Sequence, residues 1–240
     1  MRGIRVSLAL LTGSTGVLGR KLVPYLAKSY KLVLHYKSSE EVFNALLSDP
    51  SVKSSLVKAI KWDFSKENLS GFINEVVKVG IPSLVILSAS QYDSTPLSRV
   101  TEELFDYLVR VNLVAPTYIA LKLGMIMEGG LIVFLTDMIA ISGHEVYTGI
   151  KPSLPYVASR GSFYHIVRYL SKELAPKVRV VGIAVGWVDN PKASKELRDL
   201  AIRTIPTKTF VDPGEVYRLI ELAKESPSLN GVFLTLSGGI

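Results

Sequence analysis

The chain has no cysteine and only three histidines in 240 residues. Disulfides and thiolate chemistry are thereby excluded, and so few soft ligands give no zinc-binding set, so no metal site is expected. Glutamine occurs once, at Gln91. No uninterrupted apolar run reaches the ~18 residues of a membrane-spanning helix, so no membrane partner is expected. Basic charge is in excess, at +7 net, but it does not cluster. Lys53, Lys58, Lys61, Lys66 and Lys78 are spread among apolar positions. That pattern reads as a solvated surface. It is compatible with a groove for anionic cofactor phosphates and gives no reason to expect nucleic acid. The opening MRGIRVSLALLTG is basic, then apolar, but a glycine turn follows at once without a small-residue cleavage pattern. It therefore reads as a strand and not as a secretory leader, and a cytoplasmic location is expected.

What the chain does have is material for a core. Apolar residues make up 48%, and the mean hydropathy is +0.30. A length of 240 residues fits one α/β domain, 1–240, with its active site inside it. Strand-like runs alternate with helical patterns. An apolar run ends at Thr12 and is followed by Gly13, Ser14, Thr15, Gly16, Val17, Leu18 and Gly19, then by the helical RKLVPYLAKS. Such a strand–turn–helix aims free backbone N–H groups and the positive end of a helix at a diphosphate. A tight turn without a ligand is the plainer alternative. Further strands are read at Leu32–Tyr36, Leu56–Trp62, Leu84–Leu87, Leu131–Leu135, Val178–Val185 and Val232–Leu236. Helices are read at Ser39–Leu47, Leu69–Val79, Glu102 to about Met127, Ser153–Leu174 and Pro213–Ala223. Near-continuous apolar strands between helices imply a three-layer Rossmann fold, a doubly wound parallel seven-stranded sheet with helices on both faces. Ligands bind such sheets beyond the carboxyl ends of the strands.

The second strand ends in His35-Tyr36-Lys37-Ser38-Ser39. No acid stands there to hold a ribose diol, whereas Lys37, Ser38 and Ser39 suit a 2′-phosphate. NADP is therefore favoured, with NAD as the alternative. Glu40 and Glu41 fit the first turn of the next helix, with Ser38 or Ser39 as N-cap. After the third strand, Asp63 next to Phe64 is either an acceptor for an adenine amino group or a local turn cap. After the fourth, Ser88-Ala89-Ser90 is small enough to pass beneath a cofactor, and Tyr92 is a candidate to stack on a flat substrate. The fifth ends near Asp137. Tyr156 and Arg160 lie four apart on one helix face. A cation beside a phenol lowers its pKa, which suits a proton donor to a carbonyl or imine. An exposed Tyr/Arg pair is the plainer alternative.

Together these residues resemble the short-chain dehydrogenase/reductase family in its single-domain form. The resemblance runs over essentially the whole chain, to the closing IPTKTFVDPGEVYRLIELA and FLTLSGGI. Within the family, LHYKSS, SASQYDSTPL, NLVAPTY and FLTDM resemble segments of pteridine reductases. The resemblance implies an NADP(H)-dependent oxidoreductase of small carbonyl or imine substrates, pterin-like rings among them. It implies Tyr156 as proton donor, Asp137 as its helper or a substrate anchor, and Tyr92 stacked on the ring. Asn112 would hold a water in the proton relay. Gly186, Val188 and Asn190 would bind the cofactor, Asn190 at its carboxamide, and the protein would be a homodimer or homotetramer. The sequence departs from the family at several places. Arg160 replaces a lysine, Val185 the proline of a Pro-Gly pair, Asn190 a threonine and Ser88 an asparagine. The glycines follow T-G-x-x-G-x-x-G, and an enlarged loop, GHEVYTGIKPSLP, separates Asp137 from Tyr156. His144, Tyr147 and Lys151 are candidates there for substrate contact, although loop residues of this kind generally stand at the surface. Because arginine does not release its proton, a cofactor-binding member with little or no turnover is the alternative reading.

Overall fold

A computed structural model describes residues 7–138 and 151–240. Seven strands form one parallel sheet. They are β1 (Leu8–Thr12), β2 (Lys31–Tyr36), β3 (Leu56–Lys61), β4 (Leu84–Leu87), β5 (Gly130–Asp137), β6 (Val178–Val185) and β7 (Phe233–Leu236), in the spatial order β3-β2-β1-β4-β5-β6-β7. The order reverses between β1 and β4. The register aligns the strand ends there, with Thr12 opposite Leu87, and further along with Asp137 opposite Val185 and Val185 opposite Leu236. A crevice at such a reversal is where α/β sheets bind ligands.

Both sheet faces are covered, which is why the central strands are apolar without alternation. On one face, α1 (Val17–Ala27) and α10 (Pro213–Glu225) pack Leu22, Leu26, Val216 and Ile220 onto Leu11, Leu34 and Ile183. On the other, α4 (Leu69–Val77), α6 (Ala115–Ile126) and α8 (Phe163–Glu173) pack Phe72, Ile119, Leu123 and Phe163 onto Leu10, Val33 and Phe134. Local chemistry fixes the helix ends. Asp212 and Glu215 form a capping box ahead of Pro213 at the start of α10. The Thr101 hydroxyl accepts from Leu104 N–H at the start of α5 (Glu102–Val109).

Several features depart from the sequence reading. Asp49 caps an extra short helix, α3 (Pro50–Ser55), directly before β3. The stretch read as one helix from Glu102 contains a π-turn at Arg110–Val114 between α5 and α6. The stretch from Ser153 to Leu174 is two helices, α7 (Leu154–Gly161) and α8, meeting at Ser162. A further helix, α9 (Lys195–Thr204), has no counterpart in that reading. Among the described residues, the span Glu102–Ile126 is long and apolar enough by length and composition to cross a membrane. Its Leu108, Ala115, Ile119 and Leu123 are buried within the protein.

Candidate active site

At the crevice, tight contacts shape the glycine turn. Gly13 has φ +71°, and a Cβ on it would come within 2.8 Å of the Ala89 Cα. A Cβ on Gly19 would overlap the Gly13 carbonyl oxygen, so α1 can close onto the turn only with glycine there. Gly16 is the N-cap of α1 and has no side-chain cap, and Gly16, Val17 and Leu18 line the cleft. Thr12 ties the two central strand ends together. Its hydroxyl accepts from the N–H groups of Ser88 (3.0 Å) and Ala89 (3.2 Å).

Beneath the turn lies His35, fully buried. Its Nδ1 accepts from Gly13 N–H at 3.1 Å, so Nε2 carries the hydrogen and donates to the Trp62 carbonyl at 3.0 Å. The ring stacks on Phe64, with centroids 4.2 Å apart. Burial drives its pKa down to about 4, against the weaker upward pull of the Trp62 carbonyl and the Asp63 charge. Ser14 is also turned inward, with both its N–H (2.8 Å) and its hydroxyl (3.0 Å) on the His35 carbonyl. Ser14 therefore braces the turn from below, and its hydroxyl does not face the cleft. Thr15 beside it is half-buried.

At the far end of β2, Lys37, Ser38 and Ser39 are exposed. Ser39 occupies the N-cap of α2 (Glu40–Leu46), but it makes no side-chain cap, contrary to the capping expectation. Glu40 and Glu41 sit in the first turn as anticipated. Asp63 takes the turn-cap role, accepting from Ser65 N–H (2.9 Å) and hydroxyl (2.6 Å), and it also pairs with Lys37 at 3.3 Å. Burial opposes ionisation of Asp63, but the hydrogen bonds from Ser65 and Lys37 outweigh it and hold the carboxyl below its usual range.

The other end of the crevice is a cleft of about 400 Å³. It brings together Ser88, Ser90, Tyr92, Asp137, Tyr156 and Arg160 with Gly186, Val188 and Asn190. Ala89 packs over Gly13, and Phe64 under His35, so both support the turn from outside this cleft. The Tyr156 hydroxyl donates to Asp137 Oδ2. Tyr92 sets its ring edge-on to that of Tyr156, with centroids 5.1 Å apart, and remains half exposed. Arg160 is buried. It donates from one terminal nitrogen to the Leu135 carbonyl (2.9 Å) and lies 4.8 Å from the Phe163 ring centroid. Its Nε and the Thr136 hydroxyl are buried without hydrogen-bond partners, and both residues line the cleft.

Arg160 pulls the Tyr156 phenol toward acidity as expected, but other effects outweigh it. The Tyr156 pKa is raised, first by burial and then by the Asp137 charge, and the opposing pull of Arg160 does not reverse it. The Asn112 side chain is engaged by the loop that follows β4. In the π-turn, its Oδ1 accepts from Gln91 N–H (2.8 Å) and the Ser90 hydroxyl (3.3 Å), and its Nδ2 donates to the Gln91 carbonyl (2.9 Å). The amide thus anchors the loop that carries Ser90 and Tyr92. Asn190 uses its side-chain oxygen to cap Lys192 N–H. Lys151 is exposed, and His144 and Tyr147 lie outside the described residues.

Sequence reasoning missed the cleft's outer wall. Trp187, Leu197, Arg198 and Phe210 line it, brought there by α9 and the segments flanking it. Lys21 donates to the Asp189 carbonyl (2.7 Å), and Arg198 pairs with the Asp189 carboxylate (2.8 Å), fixing this segment to α1 and to itself. It also missed His35, although an imidazole inside the otherwise apolar LVLHY was the signal for a buried, partnered ring.

Comparison with known proteins agrees with this architecture. The family model for short chain dehydrogenases matches residues 7–201. Carbonyl reductase family member 4 of Xenopus laevis is 29% identical, covering 97% of this chain and 96% of its own. 3-Oxoacyl-[acyl-carrier-protein] reductase FabG of Rickettsia bellii is 24% identical, with 97% and 95% covered. In fold, the chain is similar to FolM alternative dihydrofolate reductase 1 of Brucella canis, solved with NADP. The TM-score is 0.83 at 20% identity, over 97% of this chain and 93% of that one. A blue fluorescent protein from a metagenomic library, solved with NADPH, gives a TM-score of 0.83 at 19% identity, with 97% of both chains covered. With a family match across most of its length, laid over a strand-end cleft that joins a glycine turn to Tyr156 and Asp137, the chain belongs to the short-chain dehydrogenase family.

Proposed function

We propose that the chain is an NADP(H)-dependent reductase of a small carbonyl or imine, with flat pterin-like rings among its candidate substrates. The observation that carries this reading is the Tyr156 hydroxyl bonded to Asp137 in the same cleft that the glycine turn lines. Two features of the chain fit a dinucleotide. The uncapped start of α1 leaves N–H groups for a diphosphate, and the buried, partnerless Thr136 hydroxyl and Arg160 Nε belong to residues that line the cleft with Gly186 and Asn190. Lys37, Ser38 and Ser39 would hold the 2′-phosphate, and Arg160 the ribose next to the nicotinamide. When bound, the cofactor supplies the hydride. Tyr156 transfers its phenolic proton to the substrate oxygen or nitrogen, and Arg160 stabilises the phenolate by its fixed charge. Asp137 orients the phenol and accepts from a ring N–H, while Tyr92 lies along the ring. The NADP-bound FolM protein among the fold neighbours supports both the cofactor and the ring class.

The test follows NADPH absorbance across a panel of carbonyls and pterins. Turnover of at least one compound is expected. A specific observation favours a second reading, cofactor binding with little turnover. Burial and Asp137 hold the Tyr156 proton more tightly than in a free phenol, and Arg160 is tied to the Leu135 carbonyl. Arg160→Lys separates the two. A change of less than tenfold supports the reductase, and a larger gain supports the quiescent binder. The same family reading carries a homodimer or homotetramer paired through the outer faces of α6 and α8, where Met125 and Tyr169 stand exposed. A monomer by light scattering would remove that part.

A further inference from the structure

Lys37 is the meeting point of three elements. It leaves the end of β2, pairs with Asp63 beyond β3, and sets its ammonium 5.5 Å from the centroid of the Tyr107 ring on α5. The charges around this pair are otherwise engaged. Glu40 pairs with Lys61, Glu67 accepts from the Asp63 N–H, and Arg110 donates to the Phe64 carbonyl at 3.2 Å. The cation that suits a 2′-phosphate therefore already has a resident anion, one anchored by two hydrogen bonds from Ser65.

We infer that Asp63 competes with the cofactor's 2′-phosphate for Lys37 and so sets how strongly the chain discriminates a phosphorylated from an unphosphorylated adenosine ribose. This rests on the NADP(H) reading above. A phosphorylated cofactor must draw Lys37 away from Asp63, whereas an unphosphorylated one leaves the pair intact. The difference enters only the binding of the phosphorylated form. Any contact Asp63 makes with the adenine is common to both nucleotides and cancels in the ratio of their dissociation constants. Lys37 is about half exposed, so the competing pair is weak and its effect modest.

The experiment titrates NADPH and NADH separately into wild type, Asp63→Asn, Lys37→Gln and the double variant. Asp63→Asn keeps a side-chain oxygen for Ser65 and loses the charge. The ratio of NADH to NADPH dissociation constants should rise about two- to fivefold in Asp63→Asn, the range of an exposed ion pair. It should fall toward unity in Lys37→Gln, and Asp63→Asn should no longer move it in that background. An unchanged or lowered ratio in Asp63→Asn, or an equal rise with Lys37 absent, overturns the proposal while leaving the cofactor reading intact. Wild type that binds neither nucleotide overturns both.

Discussion

The two ends of the crevice are held by different means. At the glycine turn, main chain meets main chain. Gly13 sits against Ala89, Gly19 against Gly13, and the His35 ring and Thr12 hydroxyl fasten backbone N–H groups. At the reaction end, side chains meet side chains. Tyr156 bonds Asp137, Tyr92 leans on Tyr156, and Arg198 pairs with Asp189 in the outer wall. Backbone contacts tolerate no added atom, so the turn is fixed by a few glycines. Side-chain contacts exchange freely, so chemistry can change at one end while the other stays constant. Arg160, Val185 and Asn190 are the chain's departures at the reaction end, while the turn keeps its glycines in the altered spacing T-G-x-x-G-x-x-G.

The comparison breaks most sharply at Tyr156. Replacing it with phenylalanine removes the phenolic proton and the bond to Asp137 but touches nothing at the turn. Turnover of any substrate found should fall about 100-fold or more, the usual share of a general acid. NADPH affinity, measured by titration, should stay within about twofold. Unchanged turnover would remove Tyr156 as the donor. Gly19→Ala acts at the opposite end. Its added methyl overlaps the Gly13 carbonyl and crowds the Ser14 Cα at 3.2 Å, and neither backbone atom can rotate away. The expected cost is about 3 kcal/mol of stability, at the upper end for overpacking. It should appear as a lower denaturation midpoint together with weakened NADPH binding. A variant of wild-type stability would mean that α1 slides to make room, and that the turn is softer than its contacts suggest.

The same contrast explains what is legible in the sequence. The central strands β1, β4 and β5 can be read nearly to the residue because they are near-continuous apolar runs, a pattern that burial on both faces requires, whereas edge strand β3 reads LVKAIK with only Ile60 buried. The glycine turn is legible because φ and close approach restrict residue type. The cleft residues Tyr156, Asp137, Ser88, Ser90, Tyr92, Gly186, Val188 and Asn190 are located by their positions at strand ends and by family resemblance. Their contacts are not legible. Nothing in Tyr156-x-x-x-Arg160 tells whether burial or a cation dominates the phenol, and the Asp137 that adds to the effect of burial lies nineteen residues away. Helix α9 escapes because it is mostly polar and exposed and carries only Ala201 into the core, so no apolar period marks it. The π-turn escapes because the apolar pattern runs on through it, and the contact made from it, the Asn112 amide on Gln91, joins residues 21 apart.

The smallest effect sharpens the comparison, because it separates the ends by pH. His35 serves the turn only when neutral, since a protonated Nδ1 would point a hydrogen at the Gly13 N–H. Its folded pKa is lowered from 6.5 to about 4, chiefly by burial, and the charge that acts on it is that of Asp63. Lowering sets the sign. Above pH 6.5 the ring is neutral in both states and stability is complete. Between 6.5 and 4 the unfolded chain binds a proton that the folded chain refuses, so stability falls as pH falls, and below 4 this contribution is flat. At 1.36 kcal/mol per unit, the loss between pH 7 and pH 5 is about 2 kcal/mol. Urea midpoints across that range should show it, and His35→Gln should flatten the slope by the same amount. The Asp63 carboxyl, held below its usual range, stays charged throughout and contributes no slope there. An acid slope that survives in His35→Gln would mean that the ring does not titrate under the turn, and that another group ties the dinucleotide end to pH.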